Sequence, residues 1–338
     1  MNIKKKASFF VRKPRKLGNF SIINYYENLI RELSNEFNVA LHILPFYSTG
    51  FFPRLFNCFY AFLNQSDINH VFGDVHYITI FLRKKRTILT ILDCISYNSN
   101  KGIRKFIFKW IWFKIPIMKS KYVTTISNSV KKEIINDFNI KEEKVKKIYF
   151  SIFIDEKIKE LKKNQPQLIF KILHIGTAPN KNIRNLAFGL KGLKNIELTI
   201  LGKLSSIDKQ ILINLKINFI EIDKPLTDRE VYDLYKNCDL VSLISLYEGF
   251  GLPILEGNYF KKPVITSNIS SMPEVAGNSA FLVDPKNPEE INITINKIIN
   301  KSFNINLHLN NGIENLKRFN FSNQVTMYSE LYKKLLNE

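Results

Sequence analysis

The sequence predicts an α/β protein made of two Rossmann-like halves, each carrying a parallel sheet. Three observations predict it. A chain of 338 residues is long enough for two domains. Short β-branched or apolar runs alternate with helix-period segments along most of its length, the pattern of βαβ units. A polar stretch, "DEKIKELKKNQPQ" at 155–167, separates two such series. At 45% hydrophobic and 13% aromatic the chain can fill two cores, which excludes a disordered chain. The expected boundaries are 1–154 for the first half, 155–167 for a linker, 168–320 for the second half and 321–338 for a final helix.

In the first half, "SFFVR" reads as a strand and "FSIINYYENLIRELSNEF" as the helix after it. Then come "VALHILPF", "INHVFG" and "TILTILD" as strands, a long aromatic segment over 101–118, the strand "YVTTIS", a helix from about Val130, and "KVKKIYF". Ser127 fits the N-cap of that helix. The second half is clearer. "KILHIG", "IELTILG", "NFIEID", "LVSLIS" and "PVITS" are five strands. Between them "NIRNLAFGLKGL", "LSSIDKQILINLK" and "LTDREVYDLYKNC" are helices, the last opened by Thr227 and Glu230 at capping-box spacing.

The net charge of +20 is unevenly placed. Residues 1–150 hold 26 Lys and Arg against 10 Asp and Glu, a net of +16, and the remainder holds 24 against 20. The first half therefore suits an anionic partner, whether a membrane surface, an anionic acceptor or nucleic acid. Three scattered cysteines, without a CxxC or Cys/His cluster, fit a reduced cytoplasmic setting without structural zinc. The basic start lacks the apolar stretch of a signal peptide, and no run of 18 apolar residues is present to span a membrane.

The most informative stretch is "LYEGFGLPILEG", 246–257. It follows a strand, and in open parallel sheets ligands bind at the carboxyl ends of strands. Pro253 suits the first turn of a helix, expected over about Leu252–Phe260, with Gly249–Gly251 as the turn entering it. Glu248 then lies in the loop and Glu256 in the first helical turn, so two carboxylates bracket amides able to hold a phosphate. Carboxylates accept hydrogen bonds from sugar hydroxyls, so a nucleotide-sugar fits. The bland alternative makes Glu256 a first-turn acid favoured by the helix dipole and Glu248 a solvated side chain.

The segment 226–285 resembles the family 4 retaining glycosyltransferases through its serine–aromatic–EGFGLP–E block, "KKPVITS", "SSMPEV" and "LVDP". "HIGTAPNKNIRNL" (174–186) resembles that family's donor-phosphate loop. The first half matches more weakly, through "LGNFSIINYYENLIREL", "GDVHY", "TILTILDC" and "ISNSVKKEI". The resemblance implies the GT-B fold, two Rossmann-like domains facing across a cleft. It also implies a final helix that returns to the first domain, and transfer with retention at the sugar carbon through a front-face mechanism.

By that resemblance Glu248 contacts the transferred sugar, the amides of Gly249, Phe250 and Gly251 meet sugar or phosphate, and Glu256 takes the ribose hydroxyls. Lys181 neutralises the departing diphosphate, Gly18 approaches the donor phosphate or acceptor, and His76, with His70 second, touches the donor sugar. Two positions depart from the family. Asn180 stands where a second cation is common, and Leu92 replaces the histidine of a His-Asp pair, leaving Asp93 to orient the acceptor. No D-x-D motif is present, so the expected transfer uses no metal and no cofactor.

The expected partners are a nucleotide-sugar donor, a glycan or lipid-linked glycan acceptor of bacterial surface polysaccharide, and an anionic membrane surface at the inner face of the cytoplasmic membrane. An epimerase or phosphorylase of the same architecture is the alternative enzyme class. A basic nucleic-acid-binding protein is the non-enzymatic one, disfavoured because no helix-turn-helix, RNP or zinc pattern is visible. "GFG" lacks the strand–GxGxxG–helix setting of a NAD enzyme. Residues 101–121 are expected to offer Lys105 and Lys109 as a basic edge to anionic lipid.

Overall fold

The computed structural model describes residues 4–14, 20–152 and 168–338, with the side chains of 20–24 outside that description. Gly18 and the expected linker 155–167 lie outside the described residues. The chain divides into two compact units, Met1–Phe153 with Phe321–Glu338, and Ile154–Asn320.

The first unit holds β1 (Lys6–Val11), β2 (Asn38–Ile43), β3 (Ile68–Phe72), β4 (Thr87–Ile91), β5 (Tyr122–Thr125) and β6 (Val145–Lys147). They form one sheet in the order β2-β1-β3-β4-β5-β6, with every pairing parallel. Every residue of β3, β4 and β5 is buried, as expected of strands covered on both faces. The chain leaves β1 toward β2 on one side and returns to β3 on the other, so the connection reverses between β1 and β3.

The helix Phe321–Asn337 is part of this unit. It buries Tyr328, Leu331, Tyr332 and Leu335, one stripe at helical spacing. The Tyr332 hydroxyl lies 2.7 Å from His70 Nδ1, and Thr90 Oγ1 lies 2.6 Å from His70 Nε2. His70 is thus a fully partnered core residue, and burial alone pushes its pKa down to about 3. The second-choice histidine is removed from the ligand-binding candidates by this packing.

Residues 101–118 fold as a helix, Gly102–Phe108, a π-helical stretch, Lys109–Lys114, and a short helix, Ile115–Met118. Trp112 and Phe113 are buried, and Phe113 stacks on Phe138 at 4.7 Å. The expected basic edge is reversed. The Lys105 ammonium lies over the Tyr97 ring at 4.4 Å and that of Lys109 over Phe138 at 5.8 Å. Phe106 and Trp110 face outward instead. Aromatic quadrupoles draw the ammonium groups inward.

The second unit holds β7 (Phe170–Ile175), β8 (Ile196–Leu201), β9 (Phe219–Ile222), β10 (Leu240–Leu243), β11 (Val264–Ser267) and β12 (Phe281–Val283). Its order is β12-β11-β10-β7-β8-β9, again all parallel. β12 has no counterpart among the strands expected from sequence. The chain reverses direction across this sheet between β7 and β10, and that seam positions the site.

Candidate functional site at the carboxyl ends of β7 and β10

After β7, Gly176 adopts φ +93° and the chain runs into a single turn, Pro179–Lys181. A Cβ on Gly176 would stand 2.9 Å from Lys181 Cε, so glycine is what lets the lysine lie back across the strand end. After β10, Ser245 and Glu248 lie in the loop before the helix Leu252–Tyr259. The Lys181 ammonium donates to Glu248 Oε1 at 2.7 Å, and both side chains are largely buried. Ser245 Oγ donates to the same oxygen at 2.6 Å. The two loops are also stitched through backbone, since the Leu246 N–H donates to the Asn180 carbonyl at 2.7 Å and the Asn180 amide to the Tyr247 carbonyl at 3.0 Å.

The glycine turn has a fixed orientation. Ser270, after β11, donates to the Glu248 carbonyl at 2.7 Å, and the single hydroxyl proton of Ser271 is shared between the Glu248 carbonyl at 2.9 Å and the Phe250 carbonyl at 2.8 Å. Among the described residues no peptide bond is cis. In a planar trans peptide the next N–H points opposite to the carbonyl. The N–H groups of Gly249 and Gly251 are therefore directed away from the two serines. Gly251 takes φ +109°, the turn geometry that starts the helix, and the Phe250 ring is buried against Phe319.

Glu256 is the fifth residue of its helix, a turn later than expected, so the helix-dipole account does not apply to it. It is half-buried, and its carboxylate accepts a short hydrogen bond from the Tyr235 hydroxyl. Burial raises its pKa above the ordinary carboxylate value, opposed by the Tyr235 bond and by the Lys181 charge. Tyr235 is fully buried, stacks on Phe260 at 5.5 Å, and its phenol is held neutral, first by burial and then by the Glu256 charge. His174, near the end of β7, is pushed down to about 3 by burial and by the Lys181 charge, so it is neutral.

The structure thus brings together Lys181, Glu248 and Glu256 with the glycine turn in the second unit. Sequence reasoning missed Ser245, Ser270, Ser271 and Tyr235. The i, i+3 spacing of Ser245 and Glu248 was the available signal for the first of these, and "SSMPEV" held the serine pair. Tyr235 carried no signal, because its pairing with Glu256 is a tertiary contact between two helices.

His76 and Asp93 lie in the first unit, where they line a cavity of about 390 Å³ together with Arg12, Asp74 and Trp112. That volume is within the range of small-molecule sites. The cavity lies at the carboxyl ends of the paired strands β1 and β3, and Arg12 and Asp74, just past those ends, form an ion pair of 3.0 Å. His76 Nδ1 lies 2.9 Å from the Trp112 carbonyl, which can only accept, so Nδ1 carries the proton. Burial lowers the His76 pKa. Asp93 Oδ1 accepts from the Ile95 N–H at 3.0 Å, shaping the loop after β4. Among the described residues no cluster of three or more His, Cys, Asp or Glu could hold a metal ion. Nor, among those residues, is any helix long and apolar enough to cross a membrane.

Two open parallel sheets, each with polar groups where its connections reverse, define a doubly wound α/β protein with a candidate ligand site at each reversal. Comparison with known proteins carries this further. Residues 153–317 match the glycosyl transferases group 1 family. The chain is a glycosyltransferase of GT-B fold carrying that domain.

It is 28% identical over 264 residues to O-antigen chain mannosyltransferase B of Escherichia coli, covering 73% of this chain and 68% of that protein. It is 27% identical over 198 residues to O-antigen chain mannosyltransferase RfbU of Salmonella typhimurium, covering 56% and 54%. Among solved structures, sucrose-phosphate synthase from Thermosynechococcus elongatus superposes with a TM-score of 0.79 at 14% identity, over 99% of this chain and 100% of that one. Anabaena HepE in complex with UDP-glucose gives 0.75 at 15%, over 98% and 100%.

Proposed function

We propose that the protein transfers a sugar, with retention and without a metal, from a nucleotide-sugar to a glycan or lipid-linked glycan of a bacterial surface polysaccharide. The observation that carries this is the Lys181–Glu248 pair at the reversal between β7 and β10, with Glu256 on the helix that follows. Lys181 is the cation for the diphosphate. Its ammonium has three N–H donors, and the bond to Glu248 uses one, so two remain for phosphate oxygens. The glycine turn supplies oriented amides beside it. Glu248 is already engaged at Oε1 by Lys181 and Ser245, which directs Oε2 to a sugar hydroxyl. Glu256, steadied by Tyr235, takes the ribose diol.

As the sugar–phosphate bond breaks, negative charge grows on the diphosphate. A preorganised ammonium in a half-buried site stabilises that charge more than it stabilises the ground state. The acceptor is assigned to the first unit's cavity, with Asp93 orienting its hydroxyl group and neutral His76 in the wall as a sugar contact. The names of the relatives favour a mannosyl donor and an O-antigen type of product. Work on such an acceptor places the protein in the cytoplasm, at the inner face of the membrane.

The test is release of nucleoside diphosphate from GDP-mannose, UDP-glucose and ADP-glucose, with and without chelator, followed by NMR of the anomeric centre of the product. Chelator-resistant release with retained configuration supports the reading. Inversion overturns the retaining assignment, and loss of turnover on chelation overturns metal independence. Absence of release from all donors, with salt-sensitive binding of oligonucleotides, favours the nucleic-acid alternative.

A further inference from the structure

The helix Phe51–Leu63, "FFPRLFNCFYAFL", is built the reverse way from an ordinary surface helix. Its buried face is Asn57, Cys58 and Ala61. Its outward face is Phe52, Phe56, Phe59 and Leu63, at i, i+4, i+7 and i+11, and these are 69%, 58%, 52% and 75% exposed. Phe51 at its start is 72% exposed. The single charge of the helix, Arg54, turns inward. Its guanidinium donates to the Ser48 carbonyl and lies over the Trp112 ring at 5.0 Å.

The patch continues beyond the helix. Phe56 meets Phe46 at 5.7 Å, and Phe46 is itself exposed. Phe59 meets Phe81 at 6.1 Å, and exposed Arg83, Lys84 and Lys85 follow after the buried Leu82. Contiguous apolar surface of this kind on a folded unit marks a docking face.

Charge decides what docks there. Residues 37–66 and 94–132 contain no Asp or Glu, while 94–132 contains nine Lys and Arg. A two-fold contact with a second copy would set basic rim against basic rim. An anionic lipid surface instead supplies phosphate to the rim and an acyl phase to the phenylalanines.

We infer that the Phe51–Leu63 helix inserts its phenylalanine face into the headgroup–acyl boundary of an anionic membrane, with Arg83, Lys84 and Lys85 on the lipid phosphates. This rests on the membrane-face placement proposed above and assigns it to a helix other than the one the sequence suggested. The helix lies flat, because 13 residues are too few to span a bilayer.

The test is co-sedimentation of the full chain with vesicles of phosphatidylcholine alone and with about one third phosphatidylglycerol, at low and physiological salt. The wild type should bind the anionic vesicles and release only partly in salt. Replacing Phe52, Phe56 and Phe59 together by Ser should lower partition by about a hundredfold or more, since each phenylalanine withdrawn from an apolar phase costs roughly a factor of ten. Charge reversal at Lys84 and Lys85 should lower it about fivefold or more per residue and only on anionic vesicles.

A wild type that stays in solution on anionic vesicles at low salt overturns the inference. So does a triple serine variant that binds like wild type, or one that merely abolishes a concentration-dependent dimer. A Phe59→Trp variant gives an independent reading, because its emission should shift to the blue and be quenched by brominated lipid. Thermal stabilisation by GDP-mannose should be the same in wild type and triple variant. Loss of donor turnover with vesicle binding intact would sink the transfer reading and leave this one standing.

Discussion

At the scale of single residues the site is a small electrostatic circuit, and its members have separable effects. Lys181→Ala should lower kcat by about a hundredfold, or about 3 kcal/mol, and weaken donor binding as well. Steady-state kinetics with GDP-mannose checks this, and a near-normal kcat would make Lys181 only a loop lysine. Gly176→Ala should reproduce part of the defect with the lysine still present, because its Cβ would stand 2.9 Å from Lys181 Cε. Glu256→Ala should cost about 1.5–3 kcal/mol of donor affinity, the worth of a charged hydrogen bond, measured by calorimetry.

Glu256 also has a pH signature. Its pKa is raised in the folded protein, so the folded state holds the proton more tightly than the unfolded chain. Stability therefore falls as pH rises from the ordinary carboxylate range through the raised folded value. Glu256→Gln should melt higher than wild type at neutral pH, and the gap should close in acid below the ordinary carboxylate pKa. The same variant should bind donor worse, since an amide accepts the ribose diol less strongly. A Gln variant no more stable at neutral pH would show that Tyr235 and Lys181 fully offset the burial.

At the scale of elements the sequence was legible wherever one face of an element is polar or a cap is written in side chains. Thr227 and Glu230 form the reciprocal capping box, and Ser127 Oγ accepts from the Val130 N–H at 3.1 Å. Thr227→Ala should lower the melting temperature by the equivalent of about 1 kcal/mol without touching donor affinity. The loop acid Glu248 and the glycine turn were readable because a strand end, a proline and two glycines fix a loop locally. The depth of Glu256 was not, since the helix starts at Leu252 as expected and the burial comes from tertiary packing against Tyr235 on another helix.

The Phe51–Leu63 helix escaped sequence reasoning for a specific reason. Periodicity assigns the apolar side of a helix to the core, and here that side faces outward while Arg54, Asn57, Cys58 and Ala61 turn inward. Strand β12 escaped because it is three residues long, with Leu282 exposed between two buried neighbours. The inward turn of Lys105 and Lys109 escaped because it depends on the Tyr97 and Phe138 rings beneath them.

At the scale of the whole molecule, the final helix joins the first unit's core to a segment far downstream. Tyr332 is fully buried, bonded to His70 and packed edge-on to Phe37 at 5.3 Å. Tyr332→Ala should cost about 3–5 kcal/mol, the range for truncating a large buried aromatic. Differential scanning calorimetry should show the loss in the transition of the first unit, while GDP-mannose still raises the transition of the second. A single transition shifted as a whole would mean that the two units unfold together.

That helix also dictates an order of events at the ribosome. The second unit is continuous in sequence, Ile154–Asn320, and can close as soon as it emerges. The first cannot. Its residues up to Phe153 are synthesised first but lack Tyr328, Tyr332 and Leu335 until 321–338 follow. At roughly 5–20 residues per second that wait is on the order of ten to forty seconds. Throughout it the nascent chain displays an unfinished apolar seam beside His70, the kind of surface that holdase chaperones retain. The unit made first is thus the unit completed last.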